Sequence, residues 1–123
     1  MELTTNSDKL IYLRLKEWLE DAILAGTFPE DSQIPSVAEL SVNFKMNHIT
    51  VLKSINLLSD EGVLYKKRGI GTFVSAGAKE QIREQRYGGF YRKYVAAMIR
   101  EAKKLGISKD ALLQMAEKGY DDE

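Results

Sequence analysis

Residues 34–62 read IPSVAELSVNFKMNHITVLKSINLLSDEG, and two helices joined by a tight turn follow from that stretch. Pro35-Ser36 announces the first helix. Ser36 suits an N-cap, and Glu39 three positions later completes a capping-box pattern, in which each residue satisfies an amide of the other. Val37, Leu40 and Phe44 then share one side, the side to be buried. Only Lys45, Met46 and Asn47 separate this helix from the next. Asn47 is a second N-cap, and Met46 before it is placed to pack against Val51 as a hydrophobic staple. The second helix should run from His48 to about Asp60 and close at Gly62. At 100° per residue, Val51, Ile55 and Leu58 form its core stripe. Ile49, Lys53, Asn56 and Asp60 lie opposite, with His48 and Thr50 on the exposed first turn.

Upstream, Ile11, Leu15, Trp18, Leu19, Ala22 and Ile23 recur at helical spacing, and Gly26 followed by Pro29 ends that helix. Downstream of Gly62 the pattern turns to short β-prone runs, residues 63–67 and 72–74. Arg68-Gly69-Ile70-Gly71 between them predicts a hairpin. Residues 76–78 read as a junction. Beyond it comes a charged helix that the Gly88-Gly89 pair should break or kink. A further helix carries Phe90, Tyr94, Ala97, Met98 and Leu105 on an aromatic-rich face and is capped by Gly106. Ser108 starts a last short helix with Leu112, Leu113 and Ala116 inside, before a polar tail over residues 119–123. A segment this small cannot enclose a core of its own, so it must pack on the first domain or on another chain. The expected architecture is mostly α with a small β-hairpin: a domain over residues 8–75 and a helical segment over residues 76–123.

Composition excludes several function classes. There is no cysteine, so no disulfide or thiolate site, and the single His48 cannot form a multi-histidine metal centre. No apolar run approaches the ~20 residues of a membrane helix. Residues 1–8 lack the pattern of a secretion signal, which implies a cytoplasmic protein. His48 has no cysteine, nucleophile motif or carboxylate pair beside it, so an enzyme is not expected. Gly69 and Gly71 do not form a phosphate-cradling loop, because strand rather than helix follows them. No cofactor is implied.

The short turn between helices, the second with a polar outer face, suits a helix-turn-helix. In that arrangement the second helix enters a DNA major groove. His48, Ile49 and Thr50 would then lie near bases or backbone, with Ile49 able to meet a thymine methyl and Lys53 directed to phosphate or guanine. The charge balance opposes a purely electrostatic case: 18 basic side chains meet 18 acidic ones overall, and residues 1–75 are slightly acidic. Residues 45–74, however, hold Lys45, Lys53, Lys66, Lys67 and Arg68 against only Asp60 and Glu61. Positive charge is therefore concentrated on the second helix and the hairpin, whose basic tip can follow a phosphate backbone or enter a minor groove. Gly69 and Gly71 permit close backbone approach to that surface.

These features in this order resemble the GntR family of bacterial regulators. The resemblance is carried by Tyr12, Ile34-Pro35-Ser36, Glu39-Leu40, Met46-Asn47, Thr50-Val51, Glu61-Gly62-Val63-Leu64 and residues 68–74. It implies a winged helix-turn-helix followed by a short two-helix dimerisation segment, since residues 101–108 look like the YtrA-like branch, whose small C-terminal helices dimerise. It also implies DNA contacts at Ser36, Asn47 to Thr50, Lys53 and Arg68 to Gly71. Ala38 and Leu52 stand where many relatives carry arginine, and His48-Ile49 replaces commoner pairs, so operator sequences do not transfer. The expectation is a homodimeric regulator, acting as a repressor on a palindromic double-stranded operator. Two rivals remain: a winged-helix module that docks a protein partner, and a regulator that senses a small-molecule effector at its dimer interface.

Overall fold

The computed structural model describes the backbone of residues 2–123 and the side chains of residues 11–123. The side chains behind the reading of residues 1–8 lie outside that range. Six α-helices and one two-stranded sheet follow one another as α1 (Glu2–Leu24), α2 (Val37–Phe44), α3 (His48–Asp60), β1 (Leu64–Lys67), β2 (Gly71–Val74), α4 (Ala78–Phe90), α5 (Ala96–Lys104) and α6 (Lys109–Asp122). None of these helices, among the described residues, is long and apolar enough to cross a membrane.

Three helix ends obey the same local chemistry. Gly26, Gly62 and Gly106 take φ of +83°, +80° and +73°. At each, the glycine amide and the one after it return to carbonyls of the last helical turn: Gly26 to Ile23 and Thr27 to Ala22, Gly62 to Ser59 and Val63 to Leu58, Gly106 to Lys103 and Ile107 to Ala102. This is the Schellman arrangement, which satisfies carbonyls that a helix end otherwise leaves bare. Helix α2 ends in the same way with a lysine in the glycine's place: Lys45 adopts a left-handed conformation (φ 54°), its amide returns to Val42 and the Met46 amide to Ser41.

The chain divides into two compact units, the first reaching Glu84 and the second being Gln85–Glu123. In the first, Leu15, Leu19 and Ile23 of α1 meet Leu40 of α2, Val51, Ile55 and Leu58 of α3, and Ile34, Val63, Leu64 and Val74 from the loops and sheet. Val37, Phe44 and Met46 pack half-buried against this cluster, as their spacing predicts. Trp18, placed on the apolar face, is only partly covered, by Phe28 and Phe44 edge-on at 5.9 and 4.8 Å. Ser54 is buried beneath α1 and donates to the Tyr12 carbonyl. Ala78, the last residue of the expected junction, and Ile82 beyond it are fully buried in the same core at the start of α4.

β1 and β2 pair antiparallel with Leu64 opposite Val74 and Lys67 opposite Gly71. Residues 31–34 lie along the other edge of β2: the Asp31 amide donates to Val74, the Val74 amide to Ser32, and the Ile34 amide to Thr72. β2 is thus flanked on both sides.

In the second unit Ala102 is the one buried apolar side chain among the described residues. Gly88 and Gly89 do not break α4, contrary to expectation; the irregularity is a π-helical turn over Tyr91–Val95. Two helical glycines cost only about 1 kcal/mol each against alanine and demand no break, whereas the π turn absorbs one extra residue. The expected polar tail is likewise helical, because nothing after Ser108, whose hydroxyl caps α6 by accepting from the Ala111 amide, stops the helix before Asp122.

Candidate nucleic-acid interface

The turn between α2 and α3 is built by two side-chain caps. Ser36 Oγ accepts from the Glu39 amide at 3.1 Å while the Glu39 carboxylate accepts from the Ser36 amide at 2.9 Å. Those bonds, the backbone amide first and the hydroxyl second, hold the Glu39 carboxyl below the usual carboxylate range. Asn47 Oδ1 accepts from the Ile49 amide at 2.7 Å. The Asn47 cap uses its acceptor inward, which leaves its side-chain amide to donate outward.

The first turn of α3 is thereby presented to solvent. His48 is exposed and Ile49 is 71% exposed. Thr50 is half-buried, less open than its place on the first turn suggested. Val51, Ile55 and Leu58 are buried as expected, joined by Ser54. Of the outer face, Ile49, Lys53 and Asp60 are exposed, Asn56 is half-buried, and Leu52 is added to it.

The cations around this face are oriented by contacts that periodicity does not reveal. Lys53 Nζ lies 5.3 Å from the centre of the Tyr12 ring, within cation–π range. Lys66 Nζ donates to Asn56 Oδ1, tying β1 to α3. Lys67 Nζ sits 4.6 Å from the Phe73 ring, which stacks on Tyr65. Lys45 and Arg68 make no hydrogen bond, ion pair or ring contact with the described residues and stand exposed. Glu61, one of the two acids in this region, is ion-paired to Lys16 of α1 at 3.3 Å. The same ammonium also pairs with Glu20 on α1.

The hairpin tip is a turn closed by the Ile70 amide on the Lys67 carbonyl at 2.9 Å, with Gly69 at φ +77°. Positive φ at the third residue of a turn is the position that favours glycine. Gly71 has φ +155°, and a Cβ there would overlap Gln33 Nε2. Asn47, His48, Ile49, Thr50 and Lys53 thus share one end or one face of α3, Ser36 caps α2, Lys45 lies in the turn, and Lys66 to Gly71 form the hairpin. Tyr12, Asn56 and Gln33, which organise these groups, were not identified as site residues from sequence. Their partners are distant in the chain and leave no periodic signal. No group of acids and histidines able to hold a metal ion occurs among the described residues.

Three helices with a capped turn before α3 and an antiparallel hairpin after it define a winged helix-turn-helix, with α3 as its recognition helix and the β1–β2 hairpin as its wing. The profile of bacterial regulatory proteins of the gntR family matches residues 11–74, just over half of the sequence, and the chain belongs to that family. It is similar to the arabinose metabolism transcriptional repressor of Geobacillus stearothermophilus, 31% identical over 109 residues that make up 89% of this chain and 29% of that protein. A regulator of the GntR family from Bacteroides thetaiotaomicron has a similar solved structure, with 37% identity and a TM-score of 0.71 over 91% of this chain and 97% of that one. The AraR DNA-binding domain solved in complex with operator ORX1 is 36% identical, with a TM-score of 0.51 over 52% of this chain and 77% of that one. The chain spans 29%, 33% and 31% of the length of three curated regulators it matches. The family is one of DNA-binding transcription regulators and not of enzymes.

Proposed function

We propose that this protein is a transcriptional repressor that binds a palindromic operator as a homodimer. Residues 8–75 carry DNA binding and residues 76–123 carry dimerisation, in the manner of the short YtrA-like branch, in the cytoplasm. The observation that carries the DNA reading is the capped first turn of α3, with Ile49 projecting and Lys53, Lys66, Lys67 and Arg68 around it. The operator complex of the similar AraR domain supports it. In this arrangement His48, Ile49 and Thr50 meet base edges or adjoining backbone, Ser36 and Asn47 touch the DNA where the two helices begin, and Lys53 meets phosphate or guanine. The wing, Lys66 to Gly71, follows the backbone or enters the minor groove.

Self-association is supported by the second unit, which leaves Tyr87, Phe90, Tyr91, Tyr94, Met98 and Leu105 exposed around a single buried alanine. Apolar side chains in that number are ordinarily covered by a partner. Phe90, Tyr94, Ala97, Met98, Leu105, Leu112 and Leu113 are the residues assigned to the contact.

The test is selection of bound duplexes from random DNA, followed by titration at several salt concentrations. Affinity should fall steeply with salt, and Lys53→Ala and Arg68→Ala should each lower the slope by roughly one unit. Unchanged slopes in both variants would remove the assignment.

A further inference from the structure

Gln33 is exposed and lies in a loop, yet its side chain is committed. Nε2 donates to the Ile70 carbonyl at 3.1 Å, across a separation of 37 residues. Ile70 is in the wing tip, one residue beyond Gly69 and two beyond Arg68. The backbone around Gln33 is itself fixed, because the amides of Asp31 and Ile34 and the carbonyl of Ser32 pair with β2, and Gln33 bridges Phe73. The amide group therefore reaches the tip from a rigid base. Gly71 lies against it: a Cβ there would overlap Nε2 and stand 3.1 Å from Cδ, so the end of the Gln33 side chain would have to move. A second tie runs from the same segment to the other strand, where the Tyr65 hydroxyl donates to Asp31 Oδ1 at 3.3 Å.

Arg68, Gly69 and Ile70 are exposed beyond the Lys67–Gly71 pair, in a turn closed by the Ile70 amide on the Lys67 carbonyl. Ordering an exposed, glycine-containing turn on binding costs conformational entropy and reduces affinity, so a contact that orders it beforehand favours binding. From the bond between Gln33 and the Ile70 carbonyl, seated under Gly71, we infer that Gln33 is a positioning residue for DNA binding: it holds the wing tip in the conformation that presents Arg68. The inference rests on the DNA-binding reading proposed above. Gln33 touches no DNA in this role and acts through the wing. A glutamine here is more than a surface polar residue, because it supplies a donor of the right length to a carbonyl that otherwise faces water.

The experiment uses the full chain and its Gln33→Leu variant, which keeps similar bulk but lacks the donor. The probe is a duplex selected from a random pool by the wild-type protein. Amide hydrogen exchange without DNA reads the restraint directly: residues 68–71 should exchange several-fold faster in Gln33→Leu, with α1 to α3 unchanged. Affinity for the duplex should fall about three- to tenfold, the cost of ordering one loop. A double-mutant cycle separates positioning from loss of fold, because Arg68→Ala should weaken binding less in the Gln33→Leu background than in wild type. Unchanged exchange at residues 68–71 overturns the restraint, and additive effects of the two substitutions overturn its role in presenting Arg68. If exchange accelerates but the wild-type chain shows no salt-sensitive affinity for any duplex, the DNA reading is what fails, and the positioning role fails with it.

Discussion

Lys16 Nζ lies 3.3 Å from Glu61 Oε2, so an ion pair fastens the middle of α1 to the carboxyl end of the recognition helix. The same ammonium is 3.2 Å from Glu20 on its own helix. Burial alone pulls the Lys16 pKa down, but Glu20 and then Glu61 outweigh it and hold the group above its ordinary 10.5. A raised value means that the stabilisation is complete below 10.5 and is lost as pH climbs through the folded value. Lys16→Met should therefore lower stability by about 1 kcal/mol at pH 7. Urea unfolding of both proteins across alkaline pH should show that difference closing above pH 10.5.

The capping box has the opposite pH signature. Because the Glu39 carboxyl is held below its ordinary value, its contribution is present above the normal carboxylate range and disappears as pH falls through the folded value. Glu39→Gln should unfold with a weaker dependence on acid than wild type between neutral pH and pH ~3, followed by circular dichroism. An identical acid profile would show that the cap is not formed in solution.

Lys45 holds a left-handed conformation that a glycine adopts without a Cβ penalty. Lys45→Gly should raise stability by about 0.5–1 kcal/mol while reducing the salt slope of DNA binding by roughly one unit. Stability and affinity moving in opposite directions would mark a strained residue kept for its charge.

The first core extends past Ser75. A chain ending at Ser75 lacks Ala78 and Ile82, both fully buried, whereas one ending at Glu84 keeps them. The shorter chain should be less stable by about 2–4 kcal/mol, on the scale of deleting a buried isoleucine. Thermal denaturation of the two chains measures this, and equal midpoints would place Ile82 outside the core.

Phe90 and Tyr94 have ring centres 5.3 Å apart on an exposed surface of the second unit. Replacing both with alanine should weaken self-association at least about tenfold, since aromatic anchors dominate such interfaces. Sedimentation across micromolar concentrations reads it. A wild-type chain that sediments only as a monomer would falsify the dimer.

Much of the fold was legible because its signals are local. Ser36 with Glu39, Asn47 before α3, and the glycines at 26, 62 and 106 each act on a backbone within a few residues. The periodic stripes of α1 and α3 follow from helix geometry alone. What escaped reading depends on encounters between distant segments. Nothing near Gln33 announces Ile70, nothing near Tyr12 announces Lys53, and Asn56 on its helix looks like any polar surface residue until Lys66 arrives from β1. Gly88-Gly89 misled for another reason: a glycine pair lowers helix propensity without demanding a break, and no residue there takes positive φ.

The pairing of residues 31–34 with β2 has a consequence for association between chains. An open strand edge is a template on which another chain can pair, and β2 offers none: β1 takes one side and residues 31–34 take the other. The outer edge of the wing is β1, where the exposed Lys66 and Lys67 discourage further pairing. The wing is thus guarded against edge-to-edge association between copies, while its exposed tip stays available to another kind of surface.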